Sequence, residues 1–231
     1  MTKTRPKTTL FMLMSVDGKI STWDIDERDV DKDFPKIEGV AEGLRQYYDL
    51  EQQTDIYSFN TAKVQAKLGV NEKKEVSKTP VSFILVDNKP HLTEIGTDYF
   101  IKKSNRFFLI TTNKLHPAFE RKDVDNLEIV YYEDQIDFKD LFQKFKVNYN
   151  IDAITIQSGS SLNSTLLREW LIDHISIVVA PCLVWGCNTP SLIGGKSLET
   201  EVDLKMIKPL QLKRSEVLKD SYLHLQYDVL N

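Results

Sequence analysis

Cysteine and histidine are scarce in this chain: two and four residues among 231. Cys182 and Cys187 lie close together in PCLVWGCNTP, at a spacing that suits neither a zinc knuckle nor a redox C-x-x-C. Two thiols and scattered histidines cannot complete a four-ligand site, so no metal is expected. A disulfide is not expected in a reducing compartment. The zinc deaminase signature is missing too, because no His has Glu two positions later and Pro181-Cys182 lacks its second Cys. Long apolar runs are absent. The basic start, MTKTRPKTTLFMLMS, has its apolar stretch only at 10–14 before Asp17, too short for a signal peptide, and no run suffices to cross a bilayer. The cytoplasm is the expected compartment, with no membrane partner. There is no excess of positive charge: the formal net charge is −4, and no basic helix or basic-aromatic stripe suggests nucleic acid. The G-x-G-x-x-G fingerprint is absent, which weighs against a Rossmann site. No repeat, low-complexity tract or linker interrupts the chain, so one domain over 1–231 is the simplest organisation.

What the chain does have is alternation of strand and helix. Residues 8–15 (TTLFMLMS) read as a first strand. Residues 36–53 have the period of an amphipathic helix, with Ile37, Val40, Ala41, Leu44, Tyr47 and Tyr48 on one face. A short strand follows at 55–59. Strong strands are expected at 81–87 (VSFILVD) and 106–112 (RFFLITT), with a helix over 93–103 between them. Another strand is expected at 127–132, and Phe138, Leu141, Phe142 and Phe145 define the next helix. Residues 174–184 (HISIVVAPCLV) read as a strand that includes Cys182, with Cys187 in a loop. Near the end, Leu223, Leu225, Tyr227 and Val229 alternate with His224, Gln226 and Asp228, a half-buried antiparallel pattern. The order predicts an α/β fold with a mixed, mostly parallel sheet and an antiparallel C-terminal hairpin or meander. The loop at 23–35 looks exposed. The segment 62–80 is polar and is expected to be partly mobile.

The most informative stretch is 152–171, DAITIQSGSSLNSTLLREWL. Residues 152–157 are strand-like, Ser158, Gly159, Ser160 and Ser161 turn the chain, and Leu162, Leu166, Leu167, Trp170 and Leu171 recur at helical spacing. A helix entered through small residues offers free backbone N–H groups and the positive end of its dipole, a site for phosphate or pyrophosphate. The competing reading is a Ser-capped helix of any α/β protein.

The S-V-D-G-K-I run at 15–20, paired with QSGSSLNSTLLREWLIDHISIVVAPCLVWGCNTPSLIGG at 157–195, resembles the reductase family of riboflavin biosynthesis, within the dihydrofolate reductase-like superfamily. The family pattern has S-L-D-G-K early, then E-G-G-x-x-L-N, L-L, V-D or I-D, a strand ending A-P and a glycine-containing loop. Gly159, Leu162, Asn163, Leu166, Leu167, Ile172, Asp173, Ala180, Pro181 and Gly186 fall into register with it. The resemblance implies a three-layer α/β/α dihydrofolate reductase-like fold, NADPH as cofactor, a homodimer, and hydride transfer to an open-chain phosphoribosylamino-pyrimidine. It places Ser158, Gly159, Ser160, Ser161, Leu162 and Asn163 at the pyrophosphate. Asn60 and Thr61 fall at a second cofactor turn, and Asn88 at the adenosine end. Lys89 beside it is either a partner for a 2′-phosphate or a solvated loop lysine. Asp17 and Gln157 are the candidates for polar chemistry. Ser15, Lys19 and Trp23 are the candidates for substrate contact. A carboxylate beside an apolar strand can have its pKa raised, which would suit Asp17 to proton donation. The alternative is a turn-forming Asp bonded to its own backbone.

Three departures fall on the presumed pocket. Gln157 replaces the family Glu, and Ser158 its first Gly; Phe11 stands where the family tends to carry Lys; and Asn60-Thr61-Ala62-Lys63 replaces a glycine-containing turn. Gln can bond a heterocycle edge but cannot carry the charge of Glu. These departures predict a retained fold and cofactor site with an altered substrate. Two other functions fit the same residues: a dihydrofolate or pterin reductase, using a carboxylate among Asp29, Asp31, Asp33 and Glu38, or a domain that binds a nucleotide or metabolite without turnover.

Overall fold

The computed structural model describes residues 4–24 and 28–230. Part of the basic start and part of the 23–35 loop lie outside the described residues. Among those described, the chain forms β1 (Lys7–Ser15), α1 (Val30–Asp33), α2 (Arg45–Glu51), β2 (Tyr57–Thr61), α3 (Ala62–Lys67), β3 (Ser82–Val86), α4 (Glu94–Lys103), β4 (Phe107–Thr111), β5 (Leu127–Tyr131), α5 (Phe138–Val147), β6 (Ala153–Ile156), α6 (Ser160–Arg168), β7 (His174–Ala180), β8 (Leu210–Val217) and β9 (Leu223–Val229). The pairing is mixed and mostly parallel, as the sequence predicts; only β7–β9 and β8–β9 are antiparallel ladders. The contacts divide the chain into two compact units, one built on Asp55–Ser158 and the other on Lys7–Thr54 with the chain from Gly159 onward. Among the described residues no helix is long and apolar enough to cross a membrane.

The first unit has three layers. Its strands run parallel in the order β5-β4-β3-β2-β6. β4 is buried along its whole length, which explains why FFLIT reads as a continuous apolar run rather than an alternation. Side chains still alternate across it. Phe107 and Leu109 join Leu85, Tyr99 and Phe100 in the core under α4. On the other face Phe108 meets Phe145 of α5 at 5.8 Å, and Phe59 meets Phe142 at 5.5 Å. Each such ring removed from water contributes roughly 1.5–3 kcal/mol. Thr93 and Asp137 cap α4 and α5 through their side chains, which defines where these helices start.

The second unit orders its strands β1-β7-β9-β8. Phe11 and Leu13 of β1 and Val178 and Ala180 of β7 pack with Val30, Phe34, Val40, Leu44, Tyr47 and Tyr222. Phe11 stacks face to face on Tyr47, with centroids 5.1 Å apart and planes within 7°. The Phe11 departure is therefore absorbed by the core. Tyr222 closes this cluster by donating its hydroxyl to the Val40 carbonyl at 2.6 Å.

Several elements differ from expectation. The predicted helix over 36–53 forms only as α2, preceded by 3-10 turns at Phe34–Lys36 and Ala41–Gly43. Gly39 adopts φ +81, a left-handed conformation that breaks the helix and leaves Ile37 exposed while Val40, Leu44 and Tyr47 stay buried. The loop at 23–35 is not an exposed one, since it contains α1 and buries Val30 and Phe34. The polar segment 62–80 opens with α3, capped by Thr61. β7 stops at Ala180, before Pro181, so Cys182 lies beyond the strand. Trp170 is not on the α6 face. It takes φ +61 at the position usually held by glycine, while Leu171 N–H bonds Leu166 O and Trp170 N–H bonds Leu167 O, a Schellman ending.

The Tyr222 closure makes a testable contribution. A methyl group at Gly43 would stand 2.5 Å from Cδ2 of the buried Tyr222 ring. Gly43→Ala is expected to lower unfolding free energy by about 1–3 kcal/mol in urea titrations. Tyr222→Phe, which strips the Val40 carbonyl of its partner, should cost a similar amount, and the double variant should lose less than the sum of the two.

Candidate functional site

In the second unit, the S-V-D-G-K turn and the loop after β7 form one structure. Ser15 and Ala180 are register partners at the carboxyl ends of β1 and β7. Beyond them Val16 N–H bonds Cys182 O at 2.9 Å, Ile20 N–H bonds Pro190 O at 3.0 Å, and Leu192 N–H bonds Gly18 O at 2.9 Å. Asp17 accepts from Ser15 Oγ at 2.5 Å, Val184 N–H at 3.1 Å and Trp185 N–H at 2.7 Å. Lys19 Nζ donates to the carbonyls of Gly186 at 2.7 Å and Thr189 at 3.0 Å. Its own N–H donates to Ser15 Oγ at 2.9 Å.

The expectation of a raised pKa at Asp17 is overturned. What burial there is pushes its carboxyl up, but hydrogen bonds from Ser15 and from the backbone of Val184 and Trp185 outweigh it and hold the group below its ordinary value. Asp17 organises the loop as a hydrogen-bond acceptor. Burial and the Asp17 charge push the neighbouring Cys182 thiol up, and both cysteines are free.

The same loop continues to the start of α6. Gly194 N–H donates to Ser160 O at 3.1 Å, and the fully buried Asn163 donates its amide to Leu192 O at 2.9 Å. Asn163 thus holds the loop against the helix. No side chain caps α6, whose N-cap is Gly159, and no acidic residue stands in its first turn. A Cβ built on Gly159 meets nothing within 4 Å. Ser160 and Ser161 add hydroxyls there, and Leu162 is half-buried. An uncapped N-terminus with open space at its cap and no competing carboxylate fits a pyrophosphate.

In the first unit, the remaining candidates gather at the carboxyl edge of the parallel strands. Gln157 N–H bonds Phe59 O at 2.9 Å, which puts Gln157 beside Asn60 across β6 and β2. Its side-chain oxygen accepts from Ser58 Oγ at 3.2 Å. Asn60 is buried and accepts from Thr61 N–H at 2.7 Å, while Thr61 caps α3. Ser158 is buried just beyond β6, and Asn88 accepts from Thr112 N–H at 3.0 Å. The edge of a parallel sheet is where nucleotides commonly bind.

Two groups carry signals that the sequence did not single out. Asp87, buried at the end of β3, accepts from Leu92 N–H, His91 N–H, His91 Nδ1 and His116 Nε2, all within 3.1 Å. Burial raises its pKa, but the bond from His116 and those from Leu92 and His91 lower it below the ordinary value. Only the fold brings His116 to it across 29 residues. Among the acidic residues near the first loop, Asp29 caps α1, and Asp33 accepts from Thr22, Arg28 and Lys36. Asp31 is the carboxyl raised by burial, and Tyr48 donates its hydroxyl to it at 2.8 Å. Trp23 is exposed, with the Arg28 guanidinium 5.1 Å from its ring centre.

Comparison with known proteins bears on this arrangement. The model of the RibD C-terminal domain family matches residues 6–223. The chain is 25% identical over 242 residues to the 2,5-diamino-6-ribosylamino-4(3H)-pyrimidinone 5′-phosphate reductase of Methanothermobacter thermautotrophicus, covering 97% of this chain and 99% of that protein. It is 31% identical over 113 residues to the riboflavin biosynthesis protein RibD of Actinobacillus pleuropneumoniae, covering 49% of this chain but only 29% of that longer protein. Among solved structures, RibD of Acinetobacter baumannii matches all of this chain, and 60% of its own, at a TM-score of 0.70 and 16% identity. The riboflavin biosynthesis reductase Rib7 of Saccharomyces cerevisiae matches all of this chain and 92% of its own, at a TM-score of 0.62 and 16% identity. At such identities the structural likeness speaks for the fold.

The Asp17 clamp yields a prediction with a defined sign. A carboxyl held below its ordinary pKa keeps its acceptors charged at neutral pH and loses the clamp only as pH falls through the lowered value. The amide shifts of Val184 and Trp185 should stay constant through the usual carboxylate range and move only below it. Asp17→Asn, which cannot carry the charge, is expected to speed hydrogen exchange at both amides at neutral pH, with exchange in β4 unchanged.

Proposed function

The chain belongs to the RibD C-terminal domain family, and we propose that it is an NADPH-dependent reductase acting on a small heterocyclic substrate of the ribosylamino-pyrimidine type. Its curated relatives are reductases of riboflavin biosynthesis. The observation that carries the proposal is the second unit's continuous loop, which runs from the Asp17 and Lys19 clamp to the uncapped start of α6. One length of chain thereby joins a phosphate-binding helix end to the turn bearing the substrate candidates.

On this reading NADPH, when bound, supplies the hydride. The residues of the chain bind, orient and exclude water. The α6 amides with Ser160 and Ser161 hold the pyrophosphate. Within the first unit, Ser158, Asn60, Thr61 and Asn88 are the candidates for cofactor contact, and Gln157, steadied by Ser58, offers an amide to a heterocycle edge. Ser15 is engaged by Asp17 and Lys19, so these three shape the pocket rather than move protons. With Phe at position 11 in place of the family's Lys, no cation from that position meets a ribose phosphate, which supports a substrate shifted from the family pattern. A pterin reductase is the second reading, favoured by the raised carboxyl of Asp31. We also propose a homodimer, supported by β8, the last strand in the sheet order, which leaves Leu210, Leu212 and Val217 exposed. The reading treats the chain as a single functional domain working in the cytoplasm.

The direct test is a fluorescence titration with NADPH and NADH, followed by oxidation of bound NADPH with the pyrimidine and dihydrofolate as acceptors in parallel. Micromolar NADPH binding with weaker NADH binding supports the proposal, and binding of neither overturns it. Ser161→Glu should act in opposite directions on two measurements. The helix dipole favours the added charge by about 0.3–1 kcal/mol in folding, while NADPH affinity falls roughly ten-fold or more by repulsion from the pyrophosphate. For the dimer, Leu212→Glu should shift light-scattering mass from two chains to one without loss of helical signal.

A further inference from the structure

The chain has three tryptophans, at 23, 170 and 185, and two of them are engaged by the protein. The Arg28 guanidinium lies over Trp23, and the Lys208 ammonium lies over Trp170. Among the described residues no ring or cation covers Trp185, which is 76% exposed. Its backbone sits at φ +51, a left-handed conformation that is an outlier for so bulky a residue. Such strain persists only where the surroundings over-determine it. Here they do. Asp17 takes the N–H groups of Val184 and Trp185, and Lys19 takes the carbonyls of Gly186 and Thr189 on the other side. Both charged residues of the S-V-D-G-K turn are thus committed to holding the strained backbone that carries one exposed indole. The indole stands beyond the carboxyl ends of β1 and β7, a parallel pair, which is where α/β folds present ligands. Its loop continues through Leu192 and Gly194 to Asn163 and Ser160 at the start of α6.

We propose that Trp185 is a substrate-contacting residue, a stacking platform for the planar ring of the heterocycle, and that Asp17 and Lys19 are positioning residues that hold it. The proposal rests on the reductase reading and adds the feature that selects a flat ring. Stacking suits this position because a pyrimidine ring has a π-face, and the clamp already holds the backbone from which the indole projects.

The experiment compares wild type with Trp185→Ala, Trp185→Phe and, as a control, Trp170→Phe. Two readouts are taken. One is KM and kcat for NADPH oxidation with the ribosylamino-pyrimidinone 5′-phosphate. The other is quenching of tryptophan fluorescence by free 5,6-diaminouracil. Truncating a stacking ring typically costs about five-fold to a hundred-fold in binding. Trp185→Ala should therefore raise KM by about that factor with kcat within roughly two-fold, and Trp185→Phe should recover most of the loss. Diaminouracil should quench wild type and Trp170→Phe, and the quench should vanish in Trp185→Phe. Asp17→Asn should raise KM as Trp185→Ala does, without a further rise in the double variant.

An unchanged KM in Trp185→Ala, or a quench that survives in Trp185→Phe, overturns the proposal while leaving a turning-over reductase intact. A change in oligomeric mass instead of KM also overturns it and assigns the indole to a protein interface. A Trp185-dependent quench in a wild type that never oxidises NADPH supports the platform and sinks the reductase reading.

Discussion

The carboxylate of Asp17 is the point on which the loop beyond β7 in the second unit depends. β1 and β7 end side by side, and beyond them two lengths of chain leave the sheet with unpaired backbone groups. Asp17 gathers two of those N–H groups, and Lys19 gathers two carbonyls from the same loop. Opposite charges thus satisfy opposite backbone groups. This is economical because an ionised acceptor bonds more strongly than a neutral one. Further along, the loop is held by its own bonds, from Ile20 to Pro190, from Leu192 to Gly18 and from Asn163 to Leu192, as far as the Gly194 contact with Ser160.

The first unit uses the same device at another strand end. Asp87 is buried where β3 stops, and it turns the chain by accepting from His91 and Leu92. His116 donates to it from the far side of β4, and Ala118 N–H in turn donates to His116 Nδ1. Those donors outweigh the cost of burying the carboxylate, and the same bonds close the turn that carries Asn88. In each unit a strand end is organised by a hydrogen-bonded acid, Asp87 in the first and Asp17 in the second.

Much of this was legible in the residues. The strands at 81–87 and 106–112 were visible because parallel strands buried on both faces read as apolar runs, and β3 and β4 lie there. The pairing of the 15–20 turn with the 157–195 block came from the order of motifs, and the hydrogen bonds from Val16, Ile20 and Lys19 to the loop beyond β7 give it a physical basis. The amphipathic period at 36–53 misled, since a single Gly39 in the left-handed region interrupts a pattern that remains intact on paper. Asp17 misled in the opposite way. Ser15, two residues before it, donates to it, and the other donors that lower its pKa, Val184 and Trp185, are more than a hundred residues away in sequence.

What the sequence by itself determined is therefore the class of fold, the order of its strands and helices and the family, because these rest on periodicity and motif order, which are local or linear properties. What only the tertiary structure decided is the role of each polar side chain. Asp17 clamps a loop, Asn163 is buried against that loop, Phe11 stacks on Tyr47, and Trp185 stands in the open. The physical reason is the same in each case. A side chain's charge state and exposure are set by partners that the fold brings from more than a hundred residues away, as with Asp17 and Trp185, or from another element, as with Phe11 and Tyr47.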